Sequence, residues 1–356
     1  MRYIHTRACV AVVAFCLGAP AAAAEGRTPF SVGPVKAQPG EMASGLLPVP
    51  AGTDEGTFIP VTVFHGSRPG SVLALIAGNH GYEYAPIMAL QRMRAKIDPK
   101  EMAGTVILVH VANVPSFFKR TIYYGPVDGK NLNRVYPGKA EGTVSDRIAY
   151  QITREVIERA DVVIDLHCGD GNESLRPYSY WDVTGDPGVV ERSRQLALAF
   201  GLDHIVMDRD RPRDPAASVY CSTTATTRGK PAITVESGAL GMTDHESIGR
   251  IERGIENVLH HLKILDGPVQ MLEAPLFLDR SEVLRSKATG IFEPLVERGF
   301  TVAQGRLLGT VSDFFGNRLQ ELRAPFGGEV LYILGTPPVS EGEPLAMIGS
   351  AVGEKP

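Results

Sequence analysis

Long apolar runs, cysteines and a surplus of charge are all scarce in this sequence, and each scarcity removes a class of protein. Beyond the N-terminal leader no stretch approaches the roughly 20 apolar residues that a bilayer span requires. A formal net charge of −4 offers no basic surface for nucleic acid. Of four cysteines, Cys9 and Cys16 lie in the leader, which leaves Cys168 and Cys221. These two either form one bridge or stay as buried thiols, and the sequence leaves both open.

The leader itself is informative. Residues 1–24 carry Arg2 and Arg7, an apolar core from Ala8 to Leu17, and the small-residue run Ala21-Ala22-Ala23-Ala24 ahead of Glu25. That is the pattern of a secretory signal cut after Ala24, and it predicts an exported, periplasmic or secreted protein. Loss of the two arginines takes the formal charge from −4 to −6. Residues 25–57 follow, rich in Gly and Pro without periodicity, and read as an extended N-terminal segment that is partly ordered at best.

What is present is a set of apolar strands that end in ionisable residues. Val72 to Ala77 is an unbroken apolar run that stops at Gly78-Asn79-His80-Gly81-Tyr82-Glu83. Val162 to Leu166 ends in His167-Cys168-Gly169, and Ala232 to Val235 ends in Glu236-Ser237-Gly238. Runs of this kind are buried strands of a largely parallel sheet, and ligands bind at the carboxyl edge of such sheets. A lone histidine at a strand end is usually just hydrogen-bonded. Two of them with a glutamate make a His₂Glu set with an open position, the donor set of catalytic Zn2+, one ion per chain. A carboxylate on the same edge that is not a ligand, Glu236, is either solvated or the general base for a metal-activated water.

Between these tips, residues 84–96 show helical spacing, residues 105–111 form another strand, and residues 117–138 form a long aromatic and polar loop of the sort that is usually functional. Arg134 in that loop is either a surface guanidinium or a planar fork for a substrate carboxylate. Residues 145–160 read as a helix capped by Ser145, and residues 187–200, 219–228 and 248–265 as further helices. From residue 276 onward, short strands alternate with glycine turns, the pattern of a small sandwich or barrel.

In order and rough spacing, His80-Gly81-Tyr82-Glu83, Asn131-Leu132-Asn133-Arg134, Asp165-Leu166-His167 and Val235-Glu236-Ser237-Gly238 resemble the succinylglutamate desuccinylase/aspartoacylase family, allied to the M14-type zinc carboxypeptidases. The resemblance implies an α/β fold, a mixed sheet flanked by helices over residues 58–268. It assigns His80, Glu83 and His167 to the metal, Glu236 to the general base, and Asn133 with Arg134 to the substrate carboxylate. Arg228 resembles a substrate-contacting arginine, and Arg120 an oxyanion-stabilising one, in a loop that aligns less cleanly. Asn131 departs from the pattern, standing where relatives often carry Asp, so a carboxylate partner for a ligand histidine is either missing or replaced by Asp128 or Asp165. Residues 269–356 resemble a barrel-sandwich hybrid domain of the biotinyl/lipoyl type, but Gly327-Gly328-Glu329 stands where the modified lysine would be, so no attachment is expected.

The function implied is an exported Zn2+-dependent hydrolase that removes the acyl group from an N-acyl amino acid. The same core would also serve a carboxypeptidase or amidase on small or cell-wall peptides, or an esterase, and a non-catalytic binding protein would keep the fold alone. The expected partner is a small anionic amide, peptide or ester substrate; self-association is left open. A cavity narrowed by residues 117–136 and the C-terminal domain favours small acids, and a wide cleft favours peptides.

Overall fold

The computed structural model describes residues 27–351. The expected signal at residues 1–24 lies outside them. The N-terminal segment, expected to be irregular, forms three strands: the antiparallel hairpin β1 (Phe30–Val32) and β2 (Val35–Ala37), then β3 (Glu41–Val49). Gly33-Pro34 and Pro39-Gly40 make the turns. Leu47 and Val49 of β3 bury themselves with Ile59, Val61 and Val63 of β4 (Thr57–His65), which accounts for the full-length antiparallel pairing of the two strands. Pro48 is tolerated because β3 is an edge strand.

The organising run becomes β5 (Arg68–Ala77), followed by α1 (Tyr84–Arg94), β6 (Ala103–Val109), α2 (Val114–Lys119) and α3 (Val144–Ile152). Thr143, and not Ser145, caps α3: its N–H donates to Asp146 at 3.0 Å, while Ser145 lies inside the first turn and donates its N–H and Oγ to Asp128. Next come β7 (Val162–His167), the short β8 (Glu173–Leu175), β9 (Tyr178–Asp182) and α4 (Pro187–Phe200). They are followed by β10 (His204–Asp208), α5 (Cys221–Thr226), β11 (Ala232–Glu236), α6 (His245–His261) and β12 (Leu276–Leu278).

Nine strands form one mixed sheet in the order β12-β10-β9-β11-β7-β5-β6-β4-β3. The central β11, β7, β5 and β6 are mutually parallel, so their carboxyl ends open on one edge. All six residues of β7 are buried, which is why it reads as an apolar run and not as an alternation. One core packs Leu73, Leu75, Ile164 and Leu166 against Ile87, Leu90, Ile251 and Ile255 of α1 and α6. The other face buries Ala74, Ile76 and Val163 against Ile148 and Ile152 of α3. Each such side chain contributes about 1.5–3 kcal/mol by leaving water.

The rest of the chain is all β: β13 (Arg280–Arg285), β14 (Gly290–Pro294), β15 (Thr301–Val302), β16 (Leu307–Ser312), β17 (Arg318–Arg323), β18 (Gly328–Leu334), β19 (Pro338–Val339) and β20 (Pro344–Ser350). They form two antiparallel sheets around one cluster that includes Phe292, Leu308, Val311, Val330 and Ile348. The division expected at residues 268/269 is blurred at both sides. β12 stays in the large sheet, and β8 leaves it to pair with β18.

Candidate active site

The carboxyl ends of β5 and β7 carry the two histidines, and α1 begins immediately after Glu83. The loop must pass close to α2: a Cβ on Gly81 would lie 2.2 Å from the backbone carbonyl carbon of Ser116, so glycine is required there. His80 Nδ1 lies 2.6 Å from Glu83 Oε1, and His167 Nδ1 lies 2.8 Å from Glu83 Oε2. One donor atom from each of the three lies within 4.8 Å of the others. All three side chains are buried.

The remaining ring nitrogens face acceptors. His80 Nε2 is 3.1 Å from Asn131 Oδ1, and His167 Nε2 is 3.0 Å from Asp165 Oδ1. Both Nδ1 atoms face Glu83, and with neutral rings this donor set suits a tetrahedral N/O metal such as zinc with one position left open. Asn131 Oδ1 also accepts from the Asn133 N–H, ending the loop in a helical turn over Leu132–Arg134. Asp165 therefore supplies the carboxylate partner, and Asn131 supplies a neutral one. Asp128, the other candidate, is occupied at the start of α3.

Electrostatics follow from this packing. Burial alone would raise the Glu83 carboxyl, but His167 and His80 outweigh it and hold it well below the ordinary range. Burial would lower His167, yet Asp165 and Glu83 raise it well above a free imidazole. Glu236 lies directly across the parallel ladder from His167 and across the antiparallel one from Tyr178. Burial pushes its carboxyl well up; His167 opposes this, and Glu83 and Glu173 add to it. Among the described residues the Glu236 carboxylate has no hydrogen bond and no ion pair.

His80, Glu83 and Glu236 line one cavity of about 520 Å³ with Lys130, Asn131 and Arg134. Tyr123 and Tyr124 of the long loop wall one side, and Val283, Arg285, Tyr332 and Pro344 of the C-terminal region wall another. Arg134 is exposed there, its guanidinium 4.7 Å from the Tyr220 ring centre and free of any carboxylate among the described residues. Tyr220 is set by Val219, a β-branched residue held at φ 69, a strained conformation of the kind that gathers at functional sites.

Of the expected residues, His167 sits behind the lining beside Glu83, and three others do not reach this cavity. Asn133 is buried beneath it: Nδ2 donates to Asp165 Oδ2 at 3.2 Å, and Oδ1 accepts the Cys221 N–H at 2.8 Å. Its amide is spent on holding the Asp165–His167 pair and not on substrate. Arg228 precedes the amino end of β11, the opposite edge from Glu236, where it donates to the Thr224 carbonyl at 3.0 Å. Arg120 is exposed at the left-handed cap of α2, outside the lining residues. Cys168 and Cys221 are separate, buried thiols.

Sequence reasoning missed Glu173, Tyr123, Tyr178, Tyr180, Tyr332 and Arg285. Tyr178 and Tyr180 had a detectable signal, since alternating aromatics of Tyr178-Ser179-Tyr180-Trp181 read as a strand. Tyr332 and Arg285 carried none, because their place depends on pairing within distant sheets.

Comparison with known proteins agrees with this fold. The model of the succinylglutamate desuccinylase/aspartoacylase catalytic domain matches residues 69–262. An N-alpha-acetyl-L-2,4-diaminobutyric acid deacetylase of Halomonas elongata is 32% identical over 320 residues, covering 86% of this chain and 91% of that protein. A succinylglutamate desuccinylase from a Silicibacter species superimposes with TM-score 0.77 at 27% identity, covering 91% of this chain and 98% of the other. The product-bound ectoine utilization protein EutE (DoeB) from Ruegeria pomeroyi gives TM-score 0.76 at 26% identity, covering 87% and 94%.

Proposed function

Because the chain belongs to the succinylglutamate desuccinylase/aspartoacylase family, we propose that it is a zinc-dependent amide hydrolase that deacylates a small N-acyl amino acid. The observation that carries this reading is the unpartnered Glu236 carboxylate, directly across the parallel ladder from His167 and in the same cavity as the His80–Glu83 donors. His80, Glu83 and His167 would hold Zn2+, which would supply Lewis acidity toward a water and the acyl carbonyl. Glu236 takes a proton from that water and later delivers one to the leaving nitrogen. The hydroxyl adds to the acyl carbon, the C–N bond breaks, and a carboxylate and an amine leave. Arg134 offers two parallel N–H groups to the substrate carboxylate, and its stacking on Tyr220 limits the freedom lost on binding. Asp165, fixed by Asn79 at 2.7 Å and by Asn133, keeps the His167 ring in its ligating orientation.

The cavity favours a small acid over a peptide. Both the long loop and the C-terminal sheets wall it, and about 520 Å³ lies within the usual range for a small-molecule site. Purified protein should contain one zinc per chain and release amino acid from N-acetyl amino acids, and a chelator should abolish the release. Zinc without turnover of amides, esters or short peptides would point to a binding role, and absence of zinc would remove the metal centre. The reading also includes the barrel-sandwich form of residues 269–356 and export through residues 1–24; N-terminal sequencing of secreted protein should begin at Glu25, and an intact Met1 would refute processing.

A further inference from the structure

Glu173 is the one acidic group lining the cavity that this chemistry leaves unused. Glu83 serves the metal and Glu236 the proton. Of the lining cations, Lys130 is 2.5 Å from Asp146, Arg134 stacks on Tyr220, and Arg285 donates to the Gly342 carbonyl. None reaches Glu173, which has no ion pair among the described residues.

The carboxylate is nonetheless held firmly. Oε1 accepts the Tyr123 hydroxyl at 2.9 Å, a proton shared with Asn172 Oδ1 at 2.9 Å, and Oε2 accepts the Asp170 N–H at 3.3 Å. Tyr123 is in turn fixed at φ 55, with its N–H donating to Asp170 Oδ2 at 3.0 Å. Strain of this kind persists only where the surroundings over-determine it. Each carboxylate oxygen keeps a further lone pair for another donor. Tyr178, Tyr180 and Tyr332 line the same cavity, and the Tyr180 ring already carries a cation, the Arg211 guanidinium at 5.6 Å.

We propose that Glu173 is a specificity-determining residue that pairs with an ammonium group on the substrate's amino-acid side chain, so that N-acyl amino acids with cationic side chains are preferred over neutral or dicarboxylic ones. This rests on the deacylase reading above. Arg134 takes the α-carboxylate, and Glu173 takes the charge at the other end. A second carboxylate placed there would meet Glu173 and Glu236 together. Burial and the adjacent Asp170 push the Glu173 carboxyl up to about 7, so a cation is what restores its charge at low cost. The alternative is that Glu173 only anchors Tyr123. Glu173→Gln separates the two, since a Gln carbonyl still accepts the Tyr123 hydroxyl while the charge is gone.

The test uses zinc-loaded enzyme and three N-acetyl amino acids of similar size: 2,4-diaminobutyrate, 2-aminobutyrate and aspartate. Wild type should turn them over in that order of kcat/KM. In Glu173→Gln the preference for the cationic over the neutral substrate should shrink roughly thirtyfold or more, chiefly through KM. An unchanged ratio in folded Glu173→Gln overturns the proposal, and so does a wild type that favours the neutral or dicarboxylic substrate, which does not depend on the variant folding. Calorimetric binding of the three free amino acids keeps the two readings apart. Preference for the diamino acid without any turnover would sink the deacylase reading alone, and turnover without that preference would sink this one.

Discussion

Glu236→Gln is the substitution that most directly divides the proposed chemistry from the architecture that carries it. The two side chains are nearly isosteric, and the Glu236 carboxylate has no hydrogen bond or ion pair among the described residues to lose. The change also removes a desolvated charge that Glu83 and Glu173 already disfavour. Stability should therefore hold or rise slightly, because burying an unpaired charge costs more than burying a neutral amide. The three metal donors are untouched, so zinc content should stay at the wild-type value. Catalysis should behave quite differently. A positioned general base contributes about 10²–10⁴-fold, or roughly 3–5.5 kcal/mol of barrier. Zinc analysis, thermal unfolding and kcat on one N-acetyl amino acid decide the matter on the same preparation. Turnover within a few-fold of wild type would remove Glu236 as the base. Loss of zinc would make it a ligand instead, and loss of fold would mean that the carboxylate has a structural role invisible in its contacts.

Other consequences are as sharp. Asp165→Asn should weaken zinc affinity about 10–100-fold in a competition titration with a chelator, since the carboxylate facing His167 Nε2 at 3.0 Å becomes neutral; unchanged affinity would show that Asn133 and Asn79 orient the ring without it. In metal-free protein, Glu173 is raised from 4.5 to about 7 by burial and Asp170, so it disfavours folding once ionised. Its contribution should be absent below about pH 4.5 and grow to a loss of about 3 kcal/mol as pH rises through 7. Denaturant unfolding of wild type against Glu173→Gln across that window should show the difference, and parallel curves would refute it. Cys168 and Cys221 are both buried and pushed well above the usual thiol value by burial, so a thiol reagent should label neither in native protein and both once unfolded; two unreactive thiols after unfolding would mean a bridge.

The candidate site was legible in the sequence because it is local. An apolar run ending in His167 or Glu236 states both the strand and its ionisable tip, and burial of every residue of β7 is what removed the alternation that would have marked a half-exposed strand. The helix over residues 187–200 was equally plain, with Asp186 accepting the Val189 N–H at one end and Gly201 at φ 84 at the other. Residues whose role depends on distant partners were not legible. Asn133 carries the motif expected of a substrate contact, yet Asp165 and the Cys221 N–H consume its amide. Arg228 is close to Glu236 in sequence, but β11 separates them by its own length and delivers them to opposite edges of the sheet. The N-terminal strands depended on β4 for their burial, which composition alone does not reveal.

Glu173 belongs to the same class, because its strand is held by the C-terminal sheets. The strand β8 that bears it leaves the catalytic sheet and pairs with β18, Glu173 opposite Leu334 and Leu175 opposite Tyr332. Leu175, Tyr178, Leu331, Tyr332 and Met347 close one apolar cluster across that junction. Arg176 reinforces it through Asp203 at 3.0 Å and Glu329 at 2.6 Å, one partner on each side. The wall facing the candidate metal donors is thus built by both halves of the chain, while His167 and Glu236 end central strands and His80 and Glu83 sit on the loop that follows β5. Changes in the C-terminal sheets can then reshape what the cavity accepts without moving His80, Glu83, His167 or Glu236. Under the proposal above, the charge at Glu173 sets the preference of that wall.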